Sequence, residues 1–549
     1  MPYLPSAGAP RAAASTSPVL LHARGLSATL DDGRCLYADL DLLLTEGPVA
    51  LVGGNGSGKS TLLRQLAGDL PPGAGRVETR AHVHWLSQHC GPTPARVVDV
   101  LGEGDRIDAL RRLLAGAGDA ADVACVDEAW SLESDLRAAL DAAGLGALGL
   151  DDAADACSGG ERQQLRLLAA IRAPAPVLLL DEPSTFLDGE ASRRWRDALL
   201  ARPGATLVVT HDAAWLAATP RIVELRDGAL HWTEGNLEVW RAQREARRRC
   251  EAQALAQARV ARDRSSRDAA HMRERLDRRS ARGRQVGRSE NQSPLLLDHR
   301  ADRADHSRGR AQAGLARQRD AADLAVRDAY VAMERLDTPE FVDAAALALP
   351  AGRQVLAFEG AHPCATSPRR ALDWSCSGPV RIGLTGRNGS GKSTLLRAIA
   401  GRGGLAHGEV AAHVPVQSLD QHLAALSDEA AACDWLGQRM PDVAAADIAT
   451  RLALLGLAGA RARQPLGSLS GGERMRVAVA AAAWAMPAAP LLLLDEPASH
   501  LDFDSVEAMT SLLRAWPGAL LVVSHDPAVL DALALTHRLH LDAEALVLE

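Results

Sequence analysis

The sequence predicts a duplicated α/β architecture: two copies of one domain, each with a largely parallel sheet and a helical subdomain, joined by a long helical hairpin. Three observations predict it. The run Gly-Ser-Gly-Lys-Ser-Thr occurs twice, and Lys59 and Lys392 within it are the only lysines among 549 residues. Around each run the same further motifs recur in the same order. Between the two sets, residues 241–330 carry 23 Arg against 13 Asp plus Glu.

The copies follow from the realignments. Segment 50–68 matches 383–401 at an offset of 333, whereas 177–188 matches 491–502, and 207–212 matches 521–526, at an offset of 314. The expected organisation is a disordered tail over 1–18, domain one over 19–238, a basic linker over 239–351 and domain two over 352–549. Copy one holds 21 more residues between Gln88 and Ser158 than copy two holds between Gln421 and Ser470, which places the insertion in the helical subdomain. Apolar runs such as Pro48–Val52 and Val177–Leu180 are short, continuous and bounded by Gly or Pro, as expected of strands buried on both faces.

The linker differs from both copies. Its arms, 238–284 and 300–337, contain no Pro and little Gly and are expected to be helical, separated by a break over Gly287–Pro294 and then Leu295-Leu296-Leu297. A 45-residue arm would reach roughly 65–70 Å. The net charge of +10 over residues 241–330 leaves about −18 on the rest of a chain whose total is −8. Eight cysteines without a C-x-x-C pair argue for a reducing compartment and against a zinc site. No apolar stretch reaches membrane-spanning length and the N-terminus lacks an apolar signal core, so a cytoplasmic protein is expected.

Gly53-Gly54-Asn55-Gly56-Ser57-Gly58-Lys59-Ser60-Thr61 and Gly386-Arg387-Asn388-Gly389-Ser390-Gly391-Lys392-Ser393-Thr394 are complete P-loops, the mark of a P-loop NTPase. Their glycines let backbone N–H groups turn inward around phosphates, and the helix that follows offers its positive end. Lys59 and Lys392 are expected to reach the β- and γ-phosphates of a nucleotide such as ATP. Elsewhere arginine serves for positive charge, but a planar guanidinium does not fit such a loop. Ser60 and Ser393 are expected to ligate Mg2+.

Each four-residue apolar run ends in Asp-Glu. Asp181 and Asp495 are expected to hold Mg2+ through water, and Glu182 and Glu496 to polarise an attacking water. Ser158-Gly159-Gly160-Glu161 and Ser470-Gly471-Gly472-Glu473 open predicted helices. Ser followed three residues later by Glu is a capping box, and Ser-Gly-Gly at a helix N-terminus is also an anion site; the recurrence before each Asp-Glu favours the second reading. His211 and His525 close apolar strands and could contact a γ-phosphate, with a buried structural histidine as the plain alternative. Gln88 and Gln421, each 29 residues beyond its lysine, are candidates to sense metal and water.

This ordered set resembles the ATP-binding cassette (ABC) superfamily, twice over. The resemblance implies that the cassettes sandwich two ATP molecules head to tail within one monomeric chain. Lys59, Asp181, Glu182 and His211 would then face Ser470-Gly471-Gly472, and Lys392, Asp495, Glu496 and His525 would face Ser158-Gly159-Gly160. Asp188 and Asp502 match the family's D-loops at the seam. Tandem cassettes with a long charged linker and no membrane span resemble the ABC-F class, which implies an ATPase acting on the ribosome, the linker reaching tRNA and rRNA to regulate translation or protect the ribosome. The alternative is the ATP-binding subunit of a transporter with a separate permease. Phe186, where the family has His, implies non-equivalent sites. An aromatic platform for adenine is not evident upstream of either P-loop, Tyr37 being a weak candidate.

Overall fold

The computed structural model describes residues 18–30, 33–79, 81–88, 95–289, 310, 313–329, 344–363, 371–387, 389–419, 426–441, 443–455, 457, 459, 461–469, 471–484, 488–499, 501–542 and 545–548. The chain forms two compact units, one of residues 1–237 with 337–549 and one of residues 238–336.

In the first unit each copy builds a six-stranded sheet with one strand order. In copy one the order is Val83–Leu86, Val177–Asp181, Ala205–Val209, Gly47–Val52, Arg221–Arg226 and Ala229–Glu234. In copy two it is Val416–Leu419, Leu491–Asp495, Ala519–Val523, Arg381–Gly386, His537–Leu541 and Leu546–Leu548. All neighbouring pairs are parallel except the last, an antiparallel hairpin. The strands Val177–Asp181 and Ala205–Val209 are buried at every residue, which is why their sequences run apolar without alternation.

The strand that precedes each P-loop lies inside its sheet, between the strand ending at Val209 or Val523 and the one starting at Arg221 or His537. Loops leaving the carboxyl ends of these strands therefore gather at one rim, where open parallel sheets bind ligands. A three-stranded antiparallel sheet, Cys35–Thr45, Val19–Thr29 and Ala74–Thr79, shares a core with one face of the first large sheet, and copy two repeats this with Leu372–Ser377, Gln354–His362 and His407–Ala412. The other face of each large sheet packs on the helical subdomain. In copy one that subdomain carries helices Gly104–Leu114, Ala120–Val126 and Leu132–Ala142, against Ala432–Arg439 and Ala445–Leu454 in copy two, so the 21-residue surplus lies among these helices.

The second unit contains one helix of 53 residues, Leu237–Ser289, and helical residues 313–329. At 1.5 Å per residue the first spans about 80 Å. It corrects the expected end of the first arm at 284, because the helix continues through Gly287. A lone glycine costs only about 1 kcal/mol against alanine, too little to end a helix flanked by Arg and Gln. Pro294 and Leu295-Leu296-Leu297 lie outside the described residues. Pairs such as Glu245–Arg249 at 2.9 Å and Glu274–Arg278, four residues apart, stabilise its exposed surface modestly.

Candidate functional site

The two P-loops close on themselves in the same way. Lys59 Nζ donates to Gly53 O at 2.7 Å and Gly54 O at 3.0 Å; Lys392 Nζ donates to Gly386 O at 2.8 Å and Arg387 O at 2.9 Å. Glycine is needed where the loop meets the neighbouring strand. A Cβ at Gly53 would sit 2.5 Å from Leu225 O, and one at Gly386 would sit 2.0 Å from Leu541 O. Both lysines are buried, and burial lowers the affinity of each for its proton, against the pull of nearby carboxylates: Glu182, Asp502 and Asp181 for Lys59, Glu496, Asp495 and Asp188 for Lys392.

In copy one Asn55, Gly56, Gly58, Lys59, Ser60, Thr61, Gln88, Asp181, Glu182 and His211 line one cavity of about 300 Å³. Sequence reasoning missed four residues of its wall, Leu30, Arg34, Leu36 and Val209. Tyr37 is not the aromatic platform: it is buried in the core and its hydroxyl is 3.0 Å from Gln65 Oε1. Strand alternation turns Leu36 to the cavity and Tyr37 away. In copy two Ser393 Oγ donates to Asp495 Oδ2 at 2.8 Å. Asn388, Gln421 and Ser470 lie outside the described residues.

Glu182 and Glu496 occupy equivalent backbone positions. Each N–H donates to the adjacent strand, to Val209 O at 2.9 Å and Val523 O at 3.0 Å, and each residue is left-handed, with φ of 51° and 47°. His211 Nε2 is 3.6 Å from Glu182 Oε1, and His525 Nε2 is 3.5 Å from Glu496 Oε1. Burial pushes the Glu182 carboxyl up to about 8, against the lowering effect of Lys59, and Glu496 up to about 7 in the same manner. Burial and the adjacent lysine push His211 down to about 3 and His525 down to about 4, so both imidazoles are neutral near pH 7.

The two Ser-Gly-Gly-Glu segments, which match the family's signature sequence, open helices Gly159–Arg172 and Gly471–Ala483. In copy one the capping box is formed: Glu161 N–H donates to Ser158 Oγ at 3.3 Å, and Ser158 N–H donates to Glu161 Oε2 at 2.8 Å. The capping and anion readings of Ser158 are therefore compatible, since the box leaves the Gly159 and Gly160 N–H groups at the helix start. Gly472 packs on the following helix, where a Cβ would lie 2.5 Å from Ser505 Oγ.

Contacts between the copies run through the D-loops. Asp502 of copy two accepts from the Asn55 N–H of the first P-loop at 2.5 Å, across 447 residues of sequence. Although burial alone would raise its pKa, hydrogen bonds from Ser505 and Asn55 hold the Asp502 carboxyl below the usual range. Phe503 meets the His211 ring edge-on, with centroids 5.7 Å apart and planes at 62°. In the mirrored position Asp188 lies near enough to Lys392 and His525 to favour their charged forms.

The residues fit a nucleoside triphosphate. Two buried ammonium groups are bonded to their own loop carbonyls, and Ser57 Oγ and Glu496 Oε1 are buried without a hydrogen-bond partner among the described residues. Paired Ser and Asp oxygens suit Mg2+, which takes few protein ligands and completes its shell with water and phosphate.

A family profile described as "ABC transporter" matches residues 38–185 and 370–499, half of the chain, including both P-loops and both Asp-Glu pairs. The chain belongs to the ABC family, in its ABC-F class, and is an ATPase. It is 30% identical over 547 residues to the tylosin resistance ATP-binding protein TlrC of Streptomyces fradiae, covering 93% of this chain and 95% of that one. It is 26% identical over 519 residues to the energy-dependent translational throttle protein EttA of Mycobacterium tuberculosis, covering 88% and 84%. The crystal structure of archaeal ribosome recycling factor aABCE1 with ribosomal stalk protein aP1 aligns with this ABC ATPase at a TM-score of 0.57 and 18% identity, over 95% of this chain and 89% of that one, a likeness of fold. No described helix is long and apolar enough to cross a membrane.

Proposed function

We propose that this ABC-F ATPase acts on the ribosome from the cytoplasm, hydrolysing ATP at two composite sites between its cassettes to regulate translation or protect the translating ribosome. The observation that carries the composite sites is the bond from the Asn55 N–H to Asp502, which ties one copy's phosphate loop to the other copy's D-loop. Lys59, Asp181, Glu182 and His211 would serve one ATP with Ser470-Gly471-Gly472 opposite. Lys392, Asp495, Glu496 and His525 would serve the other with Ser158-Gly159-Gly160 opposite.

On binding, Lys59 and Lys392 exchange their loop carbonyls for β- and γ-phosphate oxygens, and the signature N–H groups meet the γ-phosphate from the far side. Ser60 with Asp181 and Ser393 with Asp495, aided by Gln88 and Gln421, would hold Mg2+, which supplies neutralisation of the phosphate charge. Glu182 and Glu496 orient the attacking water and accept its proton. The adjacent lysine ammonium, and Mg2+ when bound, would favour the ionised carboxylate that this role requires, opposing burial and the charge of the phosphates. The neutral His211 and His525 can donate one ring N–H toward the γ-phosphate.

The ribosome reading is supported by residues 241–330 of the linker, whose 23 Arg against 13 acidic residues favour a phosphate-rich partner such as rRNA or tRNA. That EttA is a translational throttle protein and TlrC a tylosin resistance protein agrees with it. The test is the double variant Glu182→Gln with Glu496→Gln. It should bind ATP, lose turnover and co-sediment with ribosomes in ATP. A variant that binds ATP but stays in the supernatant would refute the ribosome reading.

A further inference from the structure

We infer that Phe503, supplied by copy two, is a positioning residue for His211 in the first ATP site, and that the second site has no such device. The inference rests on the site reading above and deepens it. Asp188 and Asp502, His211 and His525, Glu182 and Glu496 are all related by one offset of 314 residues, so position 189 corresponds to 503. Copy one has glycine there, and copy two has phenylalanine.

The consequence is visible at the two histidines. His211 has the Phe503 ring against it, at 5.7 Å and 62°, the edge-to-face geometry that aromatic pairs prefer. Its side chain is 11% exposed, whereas that of His525 is 26% exposed and has no ring contact among the described residues. Both ring nitrogens of His211 are buried without a hydrogen-bond partner among the described residues. Packing rather than hydrogen bonding therefore sets the plane of that imidazole, and the packing surface belongs to the opposite cassette. Phe503 directly follows Asp502, whose carboxylate holds the first P-loop. Seating of the D-loop thus fixes the P-loop backbone and the His211 ring in one movement. At the second site the same movement brings Asp188 followed by Gly189, and among the described residues no ring packs on His525.

The partition is testable in the full chain by trapping 8-azido-ATP with vanadate, which marks a site that turns over, and identifying the labelled peptides by mass. Photolabelling without vanadate reports binding. Phe503→Ala should reduce trapping at copy one by about fivefold, the scale of one aromatic pair expressed as a rate, with binding there and trapping at copy two unchanged. Phe503→Leu, which keeps apolar bulk but loses the ring edge, should behave like Phe503→Ala, and Phe503→Tyr should restore trapping. If the alanine variant fails to fold, the Leu and Tyr variants carry the comparison.

Equal loss at both sites would mean general loosening of the cassettes and would overturn the inference. So would full trapping with Leu at 503, or absence of trapping at copy one in the unaltered chain. Glu182→Gln serves as the separate control: if it leaves copy-one trapping intact, the underlying site reading fails whatever Phe503 does.

Discussion

Replacing Glu182 with Gln should make the nucleotide-free protein harder to unfold, increasingly so as pH rises. Burial lifts this carboxyl from an ordinary value near 4.5 to about 8. Below about pH 4.5 the group is protonated in both folded and unfolded chains and favours neither. Between about 4.5 and 8 the unfolded chain gives up its proton while the folded one keeps it, so stability falls with rising pH, and above 8 the loss is complete. Each pKa unit is worth about 1.4 kcal/mol, so the change between pH 5 and 8 approaches about 4 kcal/mol. Gln has the same shape and no charge, and escapes this loss. At about 2–4 °C per kcal/mol for a domain of this size, the variant should gain several degrees at pH 8.5 and almost nothing at pH 5. Thermal melts in EDTA at both pH values would measure this. A melting gain that is equal at pH 5 and pH 8.5, or a loss at pH 8.5, would refute the assignment of a buried, desolvated carboxyl. Glu496→Gln should show the same trend with a smaller total, complete about one pH unit earlier.

Two further outcomes follow from the site geometry. Lys59→Arg should weaken ATP binding at least tenfold, because Lys59 Nζ fits a buried loop with carbonyls at 2.7 Å and 3.0 Å and the guanidinium fork does not; titration calorimetry in a Glu182→Gln, Glu496→Gln background measures it, and unchanged affinity would contradict this. Gly472→Ala should destabilise copy two by about 1–3 kcal/mol, since its Cβ would meet Ser505 at 2.5 Å, and a thermal melt equal to the parent would show that the two helices can part freely.

Much of the architecture was legible because burial and chemistry leave local traces. Continuous apolar runs marked strands with both faces covered, such as Val177–Asp181 and Leu491–Asp495, and the two lysines marked loops where only a slender cation fits. What escaped depends on distance or on competition. The bond between Asn55 and Asp502 joins residues 447 apart, and no periodicity encodes the partner of a D-loop. Phe503 and Gly189 lie just past the matched Leu-Asp of the two copies, where comparing the copies position by position exposes the difference. The helix past Gly287 shows the opposite error: a local breaker was given more weight than its small energetic cost supports. Tyr37 drew attention as an aromatic, but strand alternation decided its direction.

The left-handed backbone at Glu182 and Glu496 carries an evolutionary consequence. Such a conformation costs a residue with a Cβ about 1–2 kcal/mol, and glycine almost nothing. A directed-evolution campaign rewarding heat resistance alone would drift toward glycine at both positions, yielding sturdy chains that, on the role proposed for these carboxylates, no longer split ATP. A glutamate at a place so hospitable to glycine thus gives up stability in exchange for a carboxylate at each ATP site.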